Sequence, residues 1–241
     1  GKTTTLYAAL SKIDALENKI ITVEDPVEYQ LEGINQIKVH AQINLTFANA
    51  LRSILRQDPD IIMIGEMRDG ETAQIAVQSA LTGHLVLSTL HTNTAAGAIT
   101  RMQDMGVESY LITSSVNGVL AQRLVRTLCG NCKEAYEPGE EVRKRSGLAR
   151  FSEVGQPIYR AVGCNACRQT GYKGRTGIHE LFVLDEPMRN AINAGKDSNE
   201  LFNLAAKSGM LSLHEDGLRK VAAGMTTLDE VARVTQDQID G

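Results

Sequence analysis

Apolar positions along the first hundred residues follow two alternating rhythms. Leu6, Ala9, Leu10 and Ile13 recur at helical spacing. Phe47, Leu51, Ile54 and Leu55 mark a second helical face, which Asp58-Pro59 stops. A third helix is predicted from about Glu71 to Leu81, and a fourth helical pattern resumes near Thr94. Between them lie short β-rich runs: Ile20–Val23, the fully apolar Ile61–Ile64, and Leu85–Thr89. Runs of that length without polar alternation mark strands buried on both faces. Strands and helices in alternation predict an α/β fold, a parallel sheet flanked by helices. From about Glu186 the pattern changes to small helices. Ser212-x-x-Glu215 and Thr227-x-x-Glu230 read as capping boxes, and Gly224 stands where a helix C′ glycine belongs. Leu213, Leu218 and Val221, then Leu228, Val231 and Val234, form short apolar stripes that must pack on something.

Ionisable residues gather where the predicted strands end, and an open α/β sheet places its ligand beyond those carboxyl ends. Ile20–Val23 runs into Glu24-Asp25-Pro26, Ile61–Ile64 into Gly65-Glu66, and His84 and His91 bracket the third run. The chain opens with Gly1-Lys2-Thr3-Thr4, the closing half of the phosphate-loop pattern G-x-x-x-x-G-K-[ST]. In such a loop the backbone N–H groups cradle phosphates and Lys2 reaches their outer oxygens. The Thr3 hydroxyl ligates Mg²⁺, and the helix that starts at once turns its positive end to the anion. With a phosphate loop present, Glu66 reads as a Walker B acid that holds the Mg²⁺ shell or orients the attacking water. Glu24 and Asp25 form a second acidic cluster suited to the same work, and His91 is placed to sense a γ-phosphate. Each also has a plain reading, since acids after strands cap helices and single histidines satisfy neighbours. Four such elements in this order favour nucleotide chemistry.

Composition narrows the classes. The 241 residues suffice for one large domain or a domain with an appendage, and 42% hydrophobic with 22% charged residues is ordinary for a globular chain. A formal charge of −4 and 4% aromatic residues argue against nucleic-acid binding. No apolar run approaches the ~20 residues of a membrane-spanning helix, and no signal peptide opens the chain. The four cysteines occur only as Cys129-x-x-Cys132 and Cys164-x-x-Cys167. Paired knuckles of this kind suit a closed, structural Zn²⁺ site; two disulfides are the competing arrangement, disfavoured in a reducing compartment. The long segment between the knuckles is expected to form its own excursion, with turn formers at Pro138-Gly139, Ser146-Gly147 and Gly155-Gln156-Pro157. Arg143, Lys144 and Arg145 within it read as a solvated charge cluster or a docking surface.

Longer stretches carry a resemblance. Ile21–Glu28 (ITVEDPVE), Leu55–Asp69 (LRQDPDIIMIGEMRD) and Thr82–Asn93 (TGHLVLSTLHTN) resemble the aspartate box, Walker B and histidine box of the secretion ATPase superfamily. Gly118–Cys129 and Gly171–Glu180 extend the match over essentially the whole chain, closest to the type II secretion branch. The resemblance implies a RecA-like P-loop ATPase core at 1–128, a tetracysteine zinc-binding insertion returning to the core at 129–180, and a small C-terminal helical region at 181–241. It implies that Gly1, Lys2, Thr3, Thr4, His84 and His91 bind nucleotide, that Thr3 holds Mg²⁺, and that Glu66 and Glu24 are catalytic. The implied protein is an ATP-driven motor of type II secretion, hexameric when complete, cytoplasmic and peripheral on the inner membrane beside platform partners. A type IV pilus assembly ATPase is a close variant, and a RecA-like nucleic-acid translocase with a zinc ribbon is the reading from another class. Family members carry arginine fingers and the opening of the phosphate loop upstream of the position of Gly1. Residues 1–241 alone are therefore expected to bind ATP weakly and hydrolyse it negligibly.

Overall fold

The computed structural model describes residues 1–236. In chain order come α1 (Lys2–Leu10), β1 (Ile20–Glu24), β2 (Asn35–Lys38), α2 (Phe47–Leu55), β3 (Ile61–Ile64), α3 (Gly70–Leu81), β4 (Leu85–Ser88), α4 (Gly97–Asp104) and α5 (Ser109–Ser115). They are followed by β5 (Gly118–Leu128), β6 (Glu134–Tyr136), α6 (Glu140–Ser146), β7 (Ile158–Arg160) and β8 (Tyr172–Val183). Four helices close the chain: α7 (Glu186–Asn193), α8 (Ser198–Lys207), α9 (Leu213–Ala222) and α10 (Leu228–Thr235). The chain divides into two compact units, one of Gly1–Val119 with Val183–Ala205, the other of Leu120–Phe182 with the residues from Ala206 onward. The cysteine segment 129–180 falls wholly in the second unit, whereas the C-terminal helices are shared between the two.

In the first unit four parallel strands run in the order β2-β1-β3-β4. Pleat alternation sends successive side chains to opposite faces. Ile21, Val23, Ile62 and Ile64 meet Ala50, Leu51 and Ile54 of α2 and Ala76 of α3 on one side. Ile20, Ile61 and Met63 meet Tyr7 and Leu10 of α1 on the other. Burying each large aliphatic contributes roughly 1.5–3 kcal/mol, so this sheet is the core of the unit. Two of its helices, α2 and α3, start on side-chain caps: Thr46 Oγ1 accepts the Asn49 N–H at 3.2 Å, and Asp69 accepts the Thr72 N–H at 2.8 Å.

Two sequence expectations change here, and one strand was not foreseen. Strand β2 has no apolar run to announce it, and its position comes from main-chain pairing with β1 (Thr22↔Gln36). Strand β4, expected to be buried, is the outer strand of the described sheet, with Leu85 45% exposed. The buried face of α1 is Tyr7 and Leu10, and Ala9 points outward.

The second unit has two two-stranded sheets, β5-β8 and the antiparallel pair β6-β7. Leu148, Ile158, Leu218, Val221 and Val231 form one small core, and Val125, Ile178 and Leu213 another. Ser212 and Glu215 make the expected capping box of α9, and Gly224 follows that helix at φ +67°. The expected box of α10 is only half present. Thr227 accepts the Glu230 N–H, but the buried Glu230 carboxylate takes the backbone N–H of Arg126 (2.9 Å) and the guanidinium groups of Arg126 and Arg233 (2.7 Å each). Two charge-assisted partners outcompete one neutral N–H. Arg143 also departs from expectation: it is 4% exposed, and Nη2 donates to the Ser152 carbonyl. The amphipathic α6 turns Arg143 inward and leaves Val142 exposed.

Candidate functional site

The register of the first sheet builds the site. Val23, Ile64 and Ser88 are laterally paired, so the next residues, Glu24, Gly65 and Thr89, emerge from the sheet side by side. A Cβ on Gly65 would lie 3.3 Å from the Val23 carbonyl oxygen, so glycine lets the backbones of this row stay close. Thr89 Oγ1 donates to the Gly65 carbonyl at 2.7 Å and ties the row across β3 and β4. Above it opens a cleft of about 200 Å³ whose wall includes Lys2 and Thr3 of α1, Asp25 and Glu28 of the loop after β1, and Glu66 and His91. That volume is below the ~300–1,000 Å³ of a drug-sized pocket and suits the phosphate end of a larger ligand. Gly1 and Thr4 are exposed and lie outside the cleft wall.

A chain of polar contacts crosses the cleft. Lys2 Nζ lies 3.3 Å from His91 Nδ1, and His91 Nε2 lies 3.1 Å from Glu66 Oε2. An ammonium can only donate, which makes Nδ1 the acceptor and assigns the ring proton to Nε2, facing the carboxylate. Glu66 also pairs with Arg68. The Arg68 guanidinium holds the Glu66 carboxyl below its ordinary range against the opposing effect of partial burial, and His91 adds to the lowering. The site therefore presents an ionised acid, a cation and an imidazole at the start of α1, a set suited to phosphate oxygens and a hydrated cation.

Glu24 is differently placed. It is 2% exposed, and its carboxylate accepts from Tyr7 Oη, from Thr22 Oγ1 (2.6 Å) and from Gln36 Nε2 (3.1 Å). Among the described residues no cation pairs with it. His84 is not brought to the cleft. It sits before the amino end of β4, a strand length of roughly 13 Å from the row that forms the site. There its backbone N–H and Nδ1 both reach the Ser79 carbonyl in the last turn of α3 (3.2 and 2.8 Å). A histidine at the start of a parallel strand faces the opposite edge of the sheet from one at its end. Arg68, Tyr7 and Gln36 were not singled out in the sequence. Only Arg68 carried a signal, two residues beyond Glu66.

The second unit holds the four cysteines together, with all four Sγ atoms within 4.8 Å of one another and all four thiols free. Cys129–Cys164 is 3.9 Å, while Cys132–Cys167 and Cys164–Cys167 are 3.8 Å. A disulfide would bring sulfurs to ~2.05 Å. Four sulfurs at ~2.3 Å from one Zn²⁺ have edges of ~3.8 Å, so the spacing fits a tetrathiolate centre. Main-chain N–H groups face the sulfurs: Gly163 donates to Cys132 at 3.3 Å, and Cys164 and Gly171 donate to Cys167 at 3.2 Å. Against burial, which raises it, the donors from Cys164 and Gly171 bring the Cys167 thiol down to about 6. Gly171 is required at this turn, since its φ is +74° and a Cβ would meet that of Ala161 at 2.6 Å.

Comparison with known proteins agrees with this architecture. A family model described as type II/IV secretion system protein matches residues 1–233. Type II secretion system protein E of Xanthomonas campestris is 59% identical over 98% of this chain and 42% of its own length. Type II secretion system ATPase E of Vibrio cholerae is 54% identical over 98% of the chain and 46% of its length. The type IV pilus assembly ATPase PilB of Thermus thermophilus is 52% identical over 96% of the chain and 26% of its length. The chain thus spans about half the length, or less, of the curated relatives it matches. Among solved structures, the pilus retraction motor PilT with bound ADP aligns over 100% of this chain and 60% of that one, with a TM-score of 0.72 and 28% identity. The chain belongs to the type II/IV secretion system protein family.

Proposed function

We propose that this chain is the nucleotide-hydrolysing part of a type II secretion motor, a RecA-like P-loop core whose cleft takes the phosphates of ATP with Mg²⁺. The observation that carries the reading is the contact chain Lys2–His91–Glu66 across the carboxyl ends of a parallel sheet, at the start of α1. Lys2 supplies a point charge to the phosphates, and His91 is poised to exchange its Lys2 contact for a phosphate oxygen. Thr3 and Glu66 would hold Mg²⁺, which neutralises phosphate charge when bound. Glu66 orients the attacking water, and Glu24 shapes the acidic wall from its buried side. The four cysteines hold a structural Zn²⁺, since a closed tetrathiolate set leaves no open coordination position. In the complete protein the family resemblance supports a hexamer, peripheral on the inner membrane, with arginine fingers reaching a neighbour's nucleotide.

The test is ATP binding and turnover in the full-length protein that carries this chain. Lys2→Ala should weaken ATP binding by about 10-fold or more, whereas Glu66→Gln should keep binding and lose most turnover. Unchanged ATP affinity in Lys2→Ala would overturn the assignment. The 52% identity with PilB of Thermus thermophilus supports a second reading, a pilus assembly motor with the same chemistry. Co-purification with the inner-membrane components of one machine or the other separates the two.

A further inference from the structure

The loop after β1 carries Asp25 and Glu28 into the cleft wall, and it is fastened from below by a buried hydroxyl. Tyr7 lies on α1, five residues after Lys2, and is 1% exposed. Its hydroxyl donates to the Glu24 carboxylate and accepts the backbone N–H of Glu28 at 3.3 Å. Gln36 of β2 grips the same loop from the other side. Its Nε2 donates to Glu24 and to the Tyr29 carbonyl (3.1 Å each), and its Oε1 accepts the Leu31 N–H at 2.7 Å. The Tyr29 ring packs edge-on against Tyr7, with centroids 4.7 Å apart.

Packing alone does not need that hydroxyl. A phenylalanine would fill the same hole beside Leu10, Ile20 and Met63, yet the buried oxygen is present and links the end of β1 to the loop that follows it. Both ends of the tie matter, because the helix that holds Tyr7 also presents Lys2 and Thr3. We infer that Tyr7, with Gln36, is a positioning residue: through Glu24 and the Glu28 N–H it fixes the acidic loop relative to the helix that holds the phosphates. Glu24 in this role is a buried strut, and the loop acids Asp25 and Glu28 are the groups it aims. The inference rests on the nucleotide reading of the cleft. Burial and the Glu24 bond also push the Tyr7 phenol up to about 12, so it remains a donor throughout the working pH range.

The experiment is ATP binding, steady-state turnover and thermal melting of the full-length protein carrying Tyr7→Phe, which removes the hydroxyl and keeps the ring. Small misplacements near reacting groups cost up to ~100-fold. The expected result is kcat lower by about 10-fold or more with ATP affinity unchanged within about 2-fold. Gln36→Ala should give the same split, and it serves if Tyr7→Phe fails to fold. Thr113→Val deletes a buried hydroxyl of α5 that bonds Asn193 and Tyr110, outside the cleft, and controls for lost stability. A kcat of parental size in both Tyr7→Phe and Gln36→Ala would overturn the inference. So would losses of kcat that match those of Thr113→Val at equal melting temperature. Parental ATP affinity in Lys2→Ala would instead remove the nucleotide reading on which the tie depends.

Discussion

The two units solve the problem of stability by different means. The first stacks helices on both faces of a parallel sheet, so Ile62, Ile64, Met63 and Val23 are enclosed by many small contacts. Among the described residues the second has only two-stranded sheets, which are marginal on their own, and beside its two small cores it relies on two point ties: the four-cysteine cluster and the Glu230 clamp. Each unit also buries a carboxylate, and these differ in the same way. Glu24 is met by three neutral donors beside the cleft, while Glu230 is met by two guanidinium groups and a backbone N–H. Distributed burial tolerates a local loss. Point ties do not.

The largest expected effect is loss of the cysteine centre. Cys164→Ser, or chelation, should lower bound zinc from about one per chain and melt the second unit first, because metal binding is folding free energy in such sites. Metal analysis with calorimetry would follow both, and ATP affinity should change little. Protein free of metal and carrying two intact disulfides by mass spectrometry would remove the tie altogether. Next in size, Ile62→Ala should destabilise the first unit by about 2–4 kcal/mol through lost burial and a cavity, read by chemical denaturation.

Glu230→Gln should cost the second unit about 2–3 kcal/mol, less than a fully buried pair because Arg126 and Arg233 are about half exposed. Its pH dependence has a definite sign. The Arg233 and Arg126 guanidiniums overcome the burial that would raise it and bring the Glu230 carboxyl down to about 2 from 4.5. The contribution is therefore complete above about pH 4.5 and disappears as the pH falls toward 2. An acid titration followed by circular dichroism should show that loss in the parent and not in Glu230→Gln. The smallest effect belongs to the exposed pair Arg160–Glu134, where Arg160→Ala should change stability by under about 1 kcal/mol.

Much of the first unit was legible because its signals are local. Ile61–Ile64 needs no context to read as a buried strand, and the ionisable residues Glu66 and His91 singled out at strand ends do meet Lys2 in the cleft. The cysteine spacing was similarly direct. Strands β2, β5 and β8 were not legible, since polar residues fill Asn35–Lys38 and arginines or glycines interrupt Gly118–Leu128 and Tyr172–Val183. Pairing, not composition, makes them strands. The parting of His84 from His91 was hidden because sequence nearness conceals which end of a strand each residue occupies. Tyr7 was hidden too, as a tyrosine in an apolar stripe looks like packing until its hydroxyl is traced. The half-formed box at Thr227 shows the same limit: no local rule reports that two distant arginines compete for Glu230.

The lateral pairing of β1, β3 and β4 has one more consequence. The greasy interior serves as the ruler for the chemistry above it, because a single registration seats the core side chains and lines up Glu24, Gly65 and Thr89. A one-residue insertion within Ile61–Ile64 would swap the faces of every following side chain in the strand. It would also carry Gly65 out of the row and bring a branched side chain against the Val23 carbonyl. A misregistered sheet thus cannot present a plausible but faulty cleft. The fault that would spoil the site also prevents the fold that would display it.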